Sequence, residues 1–155
     1  MSEDVSFRTD CASLEQVTAL LRHTDASFVP PLSSRVDLAA YAHKIVSHAV
    51  RLEAWHGAEP VALLAMYCND PASATAYITS VSVAPAFARR GIASALLAAG
   101  MAHARATGMR AIGLEVDTSN EAARRLYETH GFAATNSCGR SLQMSLQLYT
   151  RNEHE

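Results

Sequence analysis

Two stretches of this sequence hold residues whose types and spacing could do chemistry. In "FARRGIASALL", Phe87 to Leu97, Arg89, Arg90 and Gly91 stand directly ahead of an Ala- and Leu-rich run with helical character. A loop that leaves a strand and opens a helix exposes unpaired backbone N–H groups, and the helix dipole adds about half a positive charge there. Gly91 lets a ligand approach the backbone, Ala93 and Ser94 keep the first turn small, and the arginines add positive charge, so the expected ligand is a pyrophosphate. A P-loop would need a second glycine and a Lys-Ser/Thr pair, and a dinucleotide fingerprint two further glycines; neither pattern is present. Taken alone, the stretch reads more readily as a capped helix with a solvated face.

The second stretch is "LEVDTSNEAARRLYETHGF", Leu114 to Phe132. Asn120 is placed to cap a helix and Gly131 to end it, while Ala122, Ala123 and Leu126 face the core. Glu115 and Tyr127 are harder to explain as scaffold. If Ile112, Leu114 and Val116 point to the core, Glu115 faces the other way near the C-terminal end of its strand, where α/β proteins place ligands. Glu115 could instead be an ion-pair partner of Arg89, Arg110 or Arg124, and Tyr127 a core-edge aromatic. The histidines offer less. His43 and His48 lie five apart on a helix, which suits neither metal-binding spacing, and His56 and His130 sit beside a turn and a helix end.

The elements that must position these residues follow from periodicity. Val5 to Thr9 reads as a strand and Leu14 onward as a helix capped by Ser13. After a break at Pro30 and Pro31, Val36 to His48 reads as a second helix. Val50 to His56 and Val61 to Tyr67 form a hairpin around a Gly57 to Pro60 turn, and "ATAYITSVSV" is a third β segment stopped at Pro85. A helix from Gly91 to Thr107, a strand from Ala111 to Asp117, a helix from Glu121 to His130, and strands Phe132 to Asn136 and Leu142 to Tyr149 complete the chain. The order is βααβββαβαββ, a mixed α/β sheet expected over residues 1–155 as one domain.

Composition limits the classes. The chain has 155 residues, 49% hydrophobic and 18% charged, with a formal net charge of -2, which argues against nucleic acid as a partner. Cys11, Cys68 and Cys138 are odd in number, far apart and lack a CxxC pair, which suits free thiols in a reducing compartment rather than a disulfide framework or zinc site. No apolar run approaches the ~20 residues of a membrane helix, and the expected location is cytoplasmic.

Together "VSVAPAFARRGIA" and "NEAARRLYETHGF" resemble the acetyl-CoA-binding signature of the Gcn5-related N-acetyltransferase (GNAT) family: a strand ending in V-x-P, a [Q/R]-x-x-G-x-[G/A] loop, and N-x-A-x-x-L-Y-x-x-x-G-F. The two motifs run from about Val81 to Phe132. The Leu-Glu-Val segment is most similar to bacterial ribosomal-protein alanine acetyltransferases, although many relatives share it. The resemblance implies a mostly antiparallel sheet of about seven strands with about four helices. It also implies acetyl transfer from acetyl-CoA to a primary amine, of a small molecule or a protein N-terminus, without a metal and by direct attack in a ternary complex. By position, Val81, Ser82 and Val83 would offer the strand edge for pantetheine. Ala88, Arg89, Arg90, Gly91, Ile92 and Ala93 would cradle the pyrophosphate, and Asn120 would contact the pantetheine arm. Tyr127 would stand beside the sulfur as general acid, with Glu115 as base. Ala88 departs from the usual Gln or Arg, and Arg89 or Arg90 is expected to compensate. The α1–α2 segment, with Phe28, Leu32, Arg35 and Tyr41, would wall the acceptor site; Arg35 could hold an acidic group on the acceptor or be a solvated arginine at a helix start. A homodimer is compatible with the family, and a non-catalytic acyl-CoA sensor is the alternative class.

Overall fold

Ser13 starts the first helix by a capping box: its side chain accepts from the Gln16 amide while the Gln16 side chain accepts from Ser13 N–H. The computed structural model describes residues 5–28, 30–70 and 72–148. Its elements are β1 (Ser6–Thr9), α1 (Leu14–Thr24), α2 (Leu38–His48), β2 (Val50–His56), β3 (Glu59–Tyr67), β4 (Thr75–Val83), α3 (Ile92–Ala106), β5 (Ala111–Asp117), α4 (Glu121–Thr129), β6 (Ala133–Cys138) and β7 (Ser141–Gln147). The sheet order is β1-β2-β3-β4-β5-β7-β6, antiparallel throughout except for β4 and β5. The expected element order, strand number and mostly antiparallel sheet are therefore those of the molecule.

Boundaries differ where a cap or turn decides them. Asp37 accepts a hydrogen bond from the Ala39 amide, so α2 starts at Leu38 rather than Val36, after a short 3-10 turn at Leu32–Ser34. β3 begins at Glu59, which shortens the expected hairpin turn to Gly57 and Ala58. The last strand was expected to reach Tyr149, which lies outside the described residues.

Side chains alternate across a strand, yet Leu63, Leu64, Ala65 and Met66 are all buried, so both faces of β3 are covered. α3 lies on the Leu64 face, where a Cβ at Gly100 would meet Leu64 Cδ2 at 3.4 Å. α1 and α2 pack on each other and cover the opposite face.

β2 does not alternate between core and solvent as its pattern suggests. Arg51 and Glu53, the charged residues of the strand, are buried under the segment that enters α1. Glu53 is fully buried and accepts hydrogen bonds from the Cys11 and Ala12 amides, Arg51 Nε and Trp55 Nε1. Arg51 in turn donates to the Ala12 carbonyl at 2.9 Å. A buried carboxylate with this many donors is satisfied, and the network pins α1 to the sheet edge. Glu53→Gln keeps the shape but replaces one accepting carboxylate oxygen with an NH2 donor that faces other donors. It is expected to cost about 1–3 kcal/mol of stability in urea unfolding, and an unchanged midpoint would show the network to be dispensable.

Candidate active site

The site begins with a strand that stops pairing. β4 and β5 pair only over Thr75–Tyr77 and Ala111–Gly113, and both continue beyond, β4 to Val83 and β5 to Asp117. On its other side, the register of β4 jumps from Ser80 opposite Ala65 to Ile78 opposite Met66, which leaves Thr79 as an extra residue. A bulge bends its strand and increases its twist, which moves β4 away from β5. Tyr41 on α2 fixes this point: its hydroxyl donates to the Thr79 carbonyl at 2.6 Å. Between the parting strands lies a cleft of about 610 Å³ at the carboxyl ends of the two parallel strands.

Glu115, Asn120 and Tyr127 line the cleft, as does Val81. Glu115 is exposed on β5, while Ile112, Leu114 and Val116 are buried on the other face, as alternation predicts. The ion pairs considered for Glu115 with Arg89, Arg110 or Arg124 are not formed among the described residues. Its carboxylate instead accepts a hydrogen bond from the Ser141 hydroxyl of β7. Sequence reasoning missed Ser141, because only the β5–β7 register, Asp117 opposite Ser141 and Glu115 opposite Gln143, brings it near.

Asp117 and the β6–β7 turn close the rim. Arg140 Nη2 is 3.2 Å from Asp117 Oδ2, and the Thr118 amide donates to the Arg140 carbonyl. Hydrogen bonds from the Ser119 hydroxyl and amide, with Arg140 adding its charge, hold the Asp117 carboxyl below the usual carboxylate range. The turn from β5 into α4 delivers Asn120, whose side chain caps α4 by accepting from the Ala123 amide at 3.2 Å. That contact uses the amide oxygen and leaves the amide NH2 as a donor.

Tyr127 is only 8% exposed, with its ring tilted against Phe132 at 5.8 Å between centroids. Burial pushes its phenol up to about 12, so it stays protonated across the neutral range. Its neighbour on α4, Leu126, also packs against the core.

Ala88 through Ala93 lie outside the cleft, on the turn that opens α3. Arg89 and Gly91 both take positive φ, +65° and +78°, on either side of Arg90. Alternating handedness of this kind gathers successive amides into an anion-binding concavity, and the first intrahelical bond starts only with the Ala95 amide on the Gly91 carbonyl. Arg90 lies over the Phe87 ring at 5.1 Å and donates to the Ala86 carbonyl, and both arginines are exposed. Ser82, expected on the strand edge, turns its side chain into the interior, 3.2 Å from the Ser80 hydroxyl, so it can offer only backbone; Val83 is partly buried. Among the described residues no group of three or more His, Cys, Asp or Glu side chains could hold a metal ion, and no helix is long and apolar enough to cross a membrane.

One link was invisible in the motifs. His130, at the end of α4, lies 2.8 Å from the Ser94 hydroxyl in the first turn of α3. α4 therefore spans the distance from the cleft, through Asn120 and Tyr127, to the Gly91 turn.

The chain matches the Acetyltransferase (GNAT) family over residues 15–132 and belongs to that family. A 57-residue stretch is 44% identical to GCN5-related N-acetyltransferase 4, chloroplastic, of Arabidopsis thaliana; it covers 37% of this chain and only 20% of that relative. Among solved structures, the fold is similar to the ribosomal-protein-S18-alanine N-acetyltransferase of Escherichia coli, with TM-score 0.76, 17% identity, and coverage of 98% of this chain and 99% of that one. It is also similar to the PaiA N-acetyltransferase of Thermoplasma acidophilum, solved with coenzyme A, with TM-score 0.72, 14% identity, and coverage of 93% and 99%.

Gly91 separates two costs. A Cβ built there meets nothing within 4 Å, so a side chain has room in the protein itself, but an L-residue at φ +78° is strained. Gly91→Val is expected to weaken CoA binding about tenfold or more, while Arg89→Ala changes it little. Titration calorimetry with equal CoA affinity for wild type and Gly91→Val would remove the turn from the site.

Proposed function

We propose that this protein is an N-acetyltransferase that moves the acetyl group of acetyl-CoA to a primary amine by direct attack in a ternary complex. The observation that carries this reading is the cleft between β4 and β5, which gathers a carboxylate, Glu115, and a protonated phenol, Tyr127. The open edge of β4 at Val81–Val83, the donor side of Asn120 and the Gly91 turn suit an extended ligand that ends in a pyrophosphate. When bound, acetyl-CoA supplies an activated acetyl group and a thiolate leaving group.

An ammonium cannot attack, so Glu115, held by Ser141, takes the proton, directly or through water. Tyr127 then faces the charge that develops on sulfur. A phenol raised to about 12 is a poor acid toward a thiolate, so full proton transfer is uphill. Tyr127 therefore acts here as a hydrogen-bond donor to the leaving sulfur, and the amine's own proton balances the products.

Release of free thiol, followed with a thiol-reactive dye across a panel of amines, tests the reading. Acceptor-dependent release is the expected result. Binding of CoA with no release for any amine would instead describe a sensor.

A further inference from the structure

The charges that line the cleft are not all spent on one another. Arg140 and Asp117 pair at 3.2 Å. Glu115 and Arg35 do not pair: among the described residues neither forms an ion pair, and the Arg35 guanidinium has no hydrogen-bond partner. Arg35 follows the 3-10 turn Leu32–Ser34, which Asp25 anchors by accepting from both the Ser33 amide and hydroxyl, each at 2.7 Å. The turn that presents Arg35 is therefore braced, although the side chain itself is exposed.

Both charges act on the same aromatic surface. Burial raises the Tyr77 phenol, the negative charge of Glu115 raises it further, and the positive charge of Arg35 opposes that rise. Arg35 acts on Tyr41 in the same sense. A single cleft thus carries one uncompensated anion and one uncompensated cation beside a shared tyrosine, the electrostatic complement of a small molecule with both an ammonium and a carboxylate. A guanidinium is suited to hold a carboxylate through two parallel hydrogen bonds.

Building on the acetyltransferase reading above, we infer that Arg35 is a specificity residue: it takes the carboxylate of a small zwitterionic amine while Glu115 receives the ammonium. The acceptor class is then amino-acid-like, rather than a neutral amine, a polyamine or a protein N-terminus.

The test uses matched probes, the protein amino acids and their α-amides; the amide loses the carboxylate and also carries a less basic amine, so the acid-to-amide ratio is compared between wild type and Arg35 variants at one pH. For the acetylated amino acids, kcat/KM should exceed that of the amide by about 10- to 100-fold, the value of a charge-assisted hydrogen bond. Arg35→Gln should remove most of that preference, and Arg35→Lys should restore part of it, with CoA titration reporting that each variant is folded. A second measurement does not depend on turnover. N-acetylated amino acids and their amides are titrated into the protein–CoA complex, and the anion should bind more tightly only when Arg35 is present. Acetylation of amines with no preference for the acid in either measurement would overturn the inference and leave the acetyltransferase reading standing. Absence of any transfer, with Arg35-dependent binding of the anion, would do the reverse. Preferential acetylation of peptide N-termini over free amino acids would also overturn it.

Discussion

Tyr127→Phe is expected to lower kcat by about 10²- to 10³-fold while the KM for acetyl-CoA moves little. The substitution removes one oxygen and keeps the ring, so the contact with Phe132 at 5.8 Å survives and the fold should be nearly unaltered. What is lost is a donor aimed at charge that exists only as the carbon–sulfur bond breaks, which is why the effect belongs in kcat. The raised phenol adds a pH signature. A group titrating near 12 is protonated at every lower pH, so the wild-type rate should show no alkaline decline from Tyr127 until the pH nears that value. A Tyr127→Phe variant with wild-type kcat would take the phenol out of the mechanism. A wild-type profile that falls between pH 8 and 10 would assign proton transfer to some other group.

Much of this site was legible before any coordinates, for reasons that differ from residue to residue. Glu115 could be placed because strand alternation is strict: once Ile112 and Leu114 face inward, Glu115 must face out. Asn120 and Gly131 mark the ends of α4 by short-range chemistry, a cap on the Ala123 amide and a φ of +100°. The missed residues act across long sequence separations. Ser141 reaches Glu115 from 26 positions away, and His130 reaches Ser94 from 36. Neither spacing has a local signature. Thr79 shows a third kind of gap. Nothing in "ATAYITSVSV" announces a bulge, yet that extra residue turns β4 away from β5 and opens the cleft. The burial of Arg51 and Glu53 was hidden for the same reason, since the covering segment, Cys11 and Ala12, lies 42 and 41 positions from Glu53.

Glu115→Gln should lower turnover by about 10²-fold or more near neutral pH while acetyl-CoA affinity is kept. The amide matches the carboxylate in size and can still accept from Ser141, so the position of the side chain on β5 is preserved. It cannot take a proton from the acceptor ammonium. The deficit should therefore shrink as pH rises toward the acceptor's own titration, because a growing fraction of amine arrives already deprotonated and needs no base. Ser141→Ala offers a companion measurement. If Ser141 only orients the carboxylate, its loss should cost less than the loss of the base and should leave the slope of rate against pH unchanged. A Glu115→Gln deficit that stays constant from neutral to alkaline pH would mean that Glu115 contributes charge or structure to the cleft rather than accepting the proton. Binding of the acceptor ammonium would then be its remaining role, visible as a rise in acceptor KM with little change in kcat.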